Sequence, residues 1–192
     1  MLFLTGYHAS GKSHLAHHLE AHDGFLHIET SAIVREIHEA HAADTSLGAW
    51  AESMEAAHGD RYFDDQIVAA IIKRFSQVDP VRSVITGNRS FEGIDHTRMR
   101  LAQELGARAG QALIVFVATS PEVMYERFVE RNRYEGDASI SYGEYVKMMD
   151  DEKSRGIEEI RQHADVSISN DGLPDETLAQ LYESLDRLAY HL

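Results

Sequence analysis

Five short apolar runs punctuate the chain: Leu2–Thr5, Phe25–Ile28, Val81–Thr86, Ala112–Ala118 and Val166–Ser169. They are rich in Val, Ile, Leu and Phe, and stretches with helical periodicity separate them, the signature of strands in a parallel sheet joined by helical crossovers. Ile67, Val68, Ile71, Ile72 and Phe75 recur at the spacing of one helix face, and Leu178, Leu181, Tyr182, Leu185 and Leu188 do the same near the C-terminus. The pattern predicts an α/β chain with a three-layer α/β/α architecture, a five-stranded parallel sheet and a single domain over residues 1–192.

Several helix starts are written locally. Ser120-Pro121-Glu122 reads as an N-cap followed by Pro in the first turn, and Ser141-Tyr142-Gly143-Glu144 fits a capping box. Pro174 is expected to open the last helix after the turn Asn170-Asp171-Gly172. The one weakly patterned stretch, Ala40–Asp60, reads as a helical excursion over the functional face.

Composition narrows the class. At 192 residues the chain is long enough for a sheet covered on both faces, and no apolar run approaches the roughly 20 residues that cross a bilayer. The first residues carry no basic region and no small-residue cleavage site, so no signal peptide is expected. With no cysteine, thiolate metal sites and disulfides are excluded, and a cytoplasmic location is the expectation. Lys+Arg number 18 against 32 Asp+Glu, a formal net charge of -14, which argues against nucleic acid as a main partner. His14, His18 and His22 have the i, i+4 spacing that can hold a metal; the plainer expectation is the solvated face of a helix that buries Leu15 and Leu19.

The strongest motif is Gly6-Tyr7-His8-Ala9-Ser10-Gly11-Lys12-Ser13, a full match to G-x-x-x-x-G-K-S/T between an apolar strand and a helix. Glycines at both ends let the backbone approach phosphates closely, and the N–H groups of the loop and of the helix start favour negative charge. Gly6, His8, Ala9, Ser10 and Gly11 are therefore the expected cradle for the triphosphate of ATP. Lys12 is expected at the β- and γ-phosphates and the Ser13 hydroxyl on Mg²⁺.

Among P-loop classes, a GTPase would carry Asn-Lys-x-Asp late in the chain, and none is present. A mechanical ATPase would carry an apolar strand ending in Asp-Glu, whereas the third strand here runs into Thr86-Gly87-Asn88-Arg89. Arg127, Arg131 and Arg133 cluster in Glu126–Arg133, and three guanidiniums on one segment suit the charge that develops in phosphoryl transfer. Taken alone, that segment reads more simply as an exposed helix pairing with Glu126, Glu130 and Glu135; the P-loop is what tips it toward function.

With these motifs in order, the chain resembles the nucleoside monophosphate kinase-like group of P-loop kinases over nearly its whole length. It is similar to archaeal dephospho-CoA kinase-like and adenylate kinase-like proteins through the loop, Ile33-Val34-Arg35-Glu36, Gly87-Asn88-Arg89 and the terminal Ala164–Gly172 segment. The stretch from Arg127 to Lys153 also resembles the lid of deoxyribonucleoside kinases. The resemblance implies γ-phosphoryl transfer from ATP, with a short lid over about residues 127–145. It implies Arg35 and Arg89 on the acceptor, a nucleoside, nucleotide or related small molecule. Asn170 would lie near the adenine, Arg127 would stack on it, and Arg131 and Arg133 would close on the transferring phosphate. Arg35 pairing with Glu39, and Arg89 with Glu92, are the structural alternatives.

The chain departs from that pattern twice: Ala32 and Thr86 stand where relatives carry Asp. Glu29, at the end of the second strand, is the expected replacement base for an acceptor hydroxyl, with Glu92 and Asp95 as alternatives. The same departures leave open a kinase-derived nucleotide-binding regulatory protein, and a nucleic-acid-directed kinase is the reading that net charge disfavours.

Overall fold

The computed structural model describes residues 1–42, 44–59, 61–75, 82–132 and 137–188. Its strands are β1 (Leu2–Thr5), β2 (Leu26–Glu29), β3 (Ser83–Thr86), β4 (Leu113–Ala118) and β5 (Val166–Ser169). They form one sheet in the order β2-β3-β1-β4-β5, every pairing parallel. Around it lie α1 (Lys12–Asp23), α2 (Thr30–Ala42), α3 (Leu47–His58), α4 (Tyr62–Phe75) and α5 (Phe91–Leu105). Then follow α6 (Pro121–Arg131), α7 (Tyr142–Ser154), α8 (Ile157–Gln162) and α9 (Pro174–Arg187). No helix among the described residues is long and apolar enough to cross a membrane.

The pleat of β1 divides the core. Leu2 and Leu4 face one side with Val84, Val115 and Ile168, under Leu15 and Leu19 of α1 and Leu178, Leu181 and Leu185 of α9. Phe3 faces the other with Ile28, Ile85 and Phe116, under Ile67 and Ile71 of α4, Ile94 and Leu101 of α5 and Phe128 of α6. Both faces of the central strands are thus dry, as their apolar composition requires.

Local signals act where they were read. Ser141 accepts from the Glu144 N–H while the Glu144 side chain reaches back, the expected capping box. Helix α6 starts at Pro121 and α9 at Pro174. The Ala40–Asp60 stretch contains α3, set against α2 and α4. Three strand starts differ from expectation, β3 among them, which begins at Ser83 after Arg82. Phe25 is buried, yet its N–H closes on the Leu19 carbonyl at 3.2 Å in the turn that ends α1, so β2 begins at Leu26. Similarly, Ala112 precedes β4, which begins at Leu113. Val81 and Arg133 lie outside the described residues. Of the expected lid, about 127–145, the end of α6, a 3-10 turn at Asp137–Ser139 and the start of α7 are described, and the Tyr125 hydroxyl ties α6 to the Ile140 carbonyl at 3.0 Å.

Because Phe3 is fully buried at the sheet centre, Phe3→Ala is expected to cost about 3–5 kcal/mol in urea unfolding. Met99→Ala, at a position 55% exposed, should stay within about 0.5 kcal/mol of the parent.

Candidate active site

The P-loop leaves β1 between its two hydrogen-bonded neighbours, β3 and β4, and turns into α1. Two glycines are required there by contact as well as by conformation. Gly6 (φ +139°) passes so close to β4 that a Cβ would lie 2.6 Å from the Val117 carbonyl oxygen. At Gly11 (φ +95°) a Cβ would lie 2.1 Å from Asn170 Nδ2. Ala9 also takes a positive φ of 64°, an unusual backbone for a residue with a Cβ. The curve is held from beneath: Asn170 Nδ2 and Thr119 Oγ1 both donate to the Ser10 carbonyl, at 2.7 and 3.1 Å. Thr177 fixes Asn170 by donating to its Oδ1 at 2.8 Å.

Lys12 folds back over the loop. Its Nζ donates to the Gly6 and Tyr7 carbonyls at 2.8 and 2.5 Å and to Ser10 Oγ at 3.2 Å. Burial of the ammonium pushes its pKa down to about 8; Arg131 and Arg89 push the same way, while Glu152 and Glu29 oppose them. His8 is held on three sides. Its N–H donates to Glu152 Oε2 at 2.8 Å, its carbonyl accepts from the Tyr145 hydroxyl at 2.9 Å, and Arg131 Nη2 lies 2.9 Å from Nε2. That last contact is a hydrogen bond when the His8 ring proton is on Nδ1.

A cleft of about 730 Å³ opens in front of the loop. Gly6, His8, Ala9, Gly11, Lys12 and Ser13 of the loop line it together with Arg127 and Arg131 of α6. Glu29, Arg35, Asp64 and Arg89 line it as well, and α3 contributes Leu47, Gly48, Ala51 and Glu55 to the wall. Glu29 Oε1 accepts from Ser31 Oγ at 2.7 Å and from Arg35 Nη2 at 3.3 Å. Arg35 of α2 thus pairs with Glu29 at the end of β2. Burial pushes the Asp64 carboxyl above its ordinary value, against the opposing charges of His96 and Arg61. Two buried polar atoms have no hydrogen-bond partner among the described residues: Arg127 Nη1 and Asn88 Oδ1, on residues that both line the cleft. Each such orphan costs about 1–3 kcal/mol until something satisfies it.

Of the residues singled out in the sequence, Ser10 and Asn170 are not on the cleft wall. Both are buried behind the loop, Asn170 as its brace. Glu92 and Asp95 do not line the cleft either. Asp64, Asn88, Glu152 and Arg155 line it without having been singled out. Asp64 belongs to Tyr62-Phe63-Asp64-Asp65, where acids in a first helical turn read as complements of the helix dipole. Glu152 and Arg155 fall in the charged run Asp150–Arg155, which reads as a solvated face.

A family model described as an AAA domain matches residues 5–144. Among curated protein sequences none matches the chain. Among solved structures, TT1252 from Thermus thermophilus superposes with a TM-score of 0.64 at 16% identity, over 97% of this chain and 96% of that one. A gluconokinase from Sinorhizobium meliloti 1021 gives 0.60 at 18% identity, over 98% of this chain and 92% of that one. Shikimate kinase from Bacteroides thetaiotaomicron gives 0.58 at 17% identity, over 97% and 94%. At such identities the likeness is one of fold, an α/β P-loop fold that agrees with the matched family.

The depressed Lys12 pKa sets a pH dependence. A polyphosphate favours the ammonium, so binding raises the pKa and takes up a proton wherever the free protein has lost it. Affinity for ATP should be level below about pH 8 and fall above it by up to about tenfold per pH unit. Calorimetric titration from about pH 7 to about pH 9.5 checks this; a flat profile to the upper end contradicts it.

Proposed function

The chain belongs to the AAA domain family of P-loop proteins, and on that footing we propose that it is an ATP-dependent kinase of a nucleoside, nucleotide or related small molecule. One observation carries the reading: the phosphate loop and the wall bearing Glu29, Arg35, Asp64 and Arg89 enclose the same cleft. A protein that only held a nucleotide would need no second, mixed-charge compartment opening onto the phosphate end.

The chain's own residues fit a triphosphate donor. Glycine backbone forms the cradle, Lys12 supplies a cation at its rim, and the orphaned Arg127 Nη1 awaits an acceptor atom. Ser13 at the start of α1 and Glu29 across the cleft are oxygen donors suited to Mg²⁺ or its waters. When bound, Mg²⁺ offsets charge on the phosphate oxygens. In this mechanism the loop N–H groups and Lys12 hold the β- and γ-phosphates. Arg131 balances the charge on the transferring group. Arg127 orients the nucleotide from the other side of the loop.

Glu29 acts at the transfer end, where Lys12 feels its charge, and Ser31 and Arg35 fix its orientation. It takes the proton of an acceptor hydroxyl as the oxygen attacks the γ-phosphorus and ADP leaves. Asp64 hydrogen-bonds the far side of the acceptor, and Arg89 meets an anionic group on it.

The test is ADP release across nucleosides, nucleotides, dephospho-CoA and sugars. At least one acceptor should stimulate release, and Lys12→Ala should abolish it; stimulation by none, with ATP bound normally, sinks the kinase reading in favour of a regulatory nucleotide binder. With the acceptor in hand, Glu29→Gln should lower kcat by about 10²–10⁴-fold, the worth of a general base. Asp64→Asn should mainly raise KM. An unchanged kcat in Glu29→Gln removes that residue from proton transfer.

A further inference from the structure

Away from the mouth of the cleft, on the sheet edge, α1 and β2 bring three potential ligands together: His17, Glu20 and His27. Their donor atoms all lie within 4.8 Å of one another. This is not the His14/His18/His22 row that helical spacing suggests, because the third ligand comes from a different element. Glu20 touches both partners: Oε2 is 3.5 Å from the His17 ring atom Nδ1, and Oε1 accepts from the His27 backbone N–H at 3.3 Å. The His17 and His27 rings stand edge to face at 4.9 Å. His27 Nε2 is already engaged, 2.9 Å from Thr86 Oγ1, which leaves Nδ1 as the ring atom for a ligand. An outer hydrogen bond of this kind orients a ligating imidazole and fixes its tautomer.

We propose that His17, Glu20 and His27 form a binding site for Zn²⁺, with a fourth position left to water, and that the site is wired to the cleft through the His27–Thr86 hydrogen bond. Two imidazoles and one carboxylate suit a borderline cation with nitrogen and oxygen ligands, while Mg²⁺, which prefers oxygen alone, does not fit this set. Bonds of about 2.0–2.1 Å in a tetrahedron bring ligand atoms to roughly 3.3 Å from one another. The cluster must therefore tighten by about 1.5 Å at its widest, within reach of side-chain rotation at His17 and Glu20, which are both exposed.

The wiring follows from proton positions. Metal on Nδ1 forces the remaining His27 proton onto Nε2, which then donates to Thr86 Oγ1. The Thr86 hydroxyl must direct its own proton elsewhere, and Thr86 lines the cleft at the end of β3. In the metal-free protein the opposite tautomer lets Thr86 donate to His27 instead. Occupancy at the sheet edge thus sets whether Thr86 offers the cleft a donor or only lone pairs. None of this requires the kinase reading.

The experiment is a Zn²⁺ titration of chelator-stripped full-length protein, read by calorimetry and by thermal melting, with Co²⁺ as a spectroscopic substitute. One tight site per chain is expected, with a Tm that rises with Zn²⁺ and a visible Co²⁺ band of low-symmetry coordination. His17→Ala and Glu20→Gln, both at exposed positions, should each weaken this binding by tenfold or more and remove the Tm rise. Thr86→Val should weaken it by about 10–100-fold, the usual worth of an outer hydrogen bond to a ligand. The His18→Ala, His22→Ala double variant should bind as the parent does. Parent-like affinity in His17→Ala, or loss of the site in the His18/His22 variant, overturns the assignment, as does the lack of any stoichiometric site in the parent.

Discussion

The hydrogen bond from Asn170 Nδ2 to the Ser10 carbonyl, 2.7 Å long and buried, holds the shape of the P-loop. The loop it holds has three residues at positive φ, Gly6, Ala9 and Gly11, a backbone that needs external support. Support comes from the ends of two neighbouring strands, through Thr119 after β4 and Asn170 after β5. Their position depends on the parallel register that sets Ala118 against Ser169. Were β5 to slip by one residue, every side chain at its end would face the other way. The geometry of a loop near residue 10 is therefore fixed by a strand more than 150 residues later.

Charge is arranged on the same principle of local exception. The chain as a whole is at -14, yet Lys12, Arg35, Arg89, Arg127, Arg131 and Arg155 all line one cleft. An acidic exterior around a basic depression discourages extended polyanions and leaves a focused field for a small one. Within the cleft, carboxylates moderate that field: Glu29 pairs with Arg35, and Glu29 and Glu152 both act on Lys12.

How legible this was in the sequence depended on whether one segment carried the whole signal. The P-loop, the Ser141 box and β5 are contiguous signals, and they stand where the pattern put them. The strand order was not legible, since apolar runs mark strands but not their neighbours. Asp64 escaped notice because its burial is created by α5 and the cleft wall, whereas its sequence context resembles any acidic helix start. Asn170 illustrates the converse. The terminal segment's resemblance put it near an adenine, and the fold puts its amide on the backbone carbonyl of Ser10. His17, Glu20 and His27 could not be grouped by spacing, because strand and helix meet there only after folding.

The His8 N–H, aimed where a phosphate oxygen belongs, already donates to Glu152, while the same residue is moored to α6 by Arg131 and to α7 by Tyr145. A phosphate oxygen arriving at this N–H must replace the Glu152 carboxylate, so the free energy of loading is a difference between two occupants, not the full value of the cradle. The carboxylate it replaces belongs to α7, which ties the loop to a helix more than 130 residues along the chain.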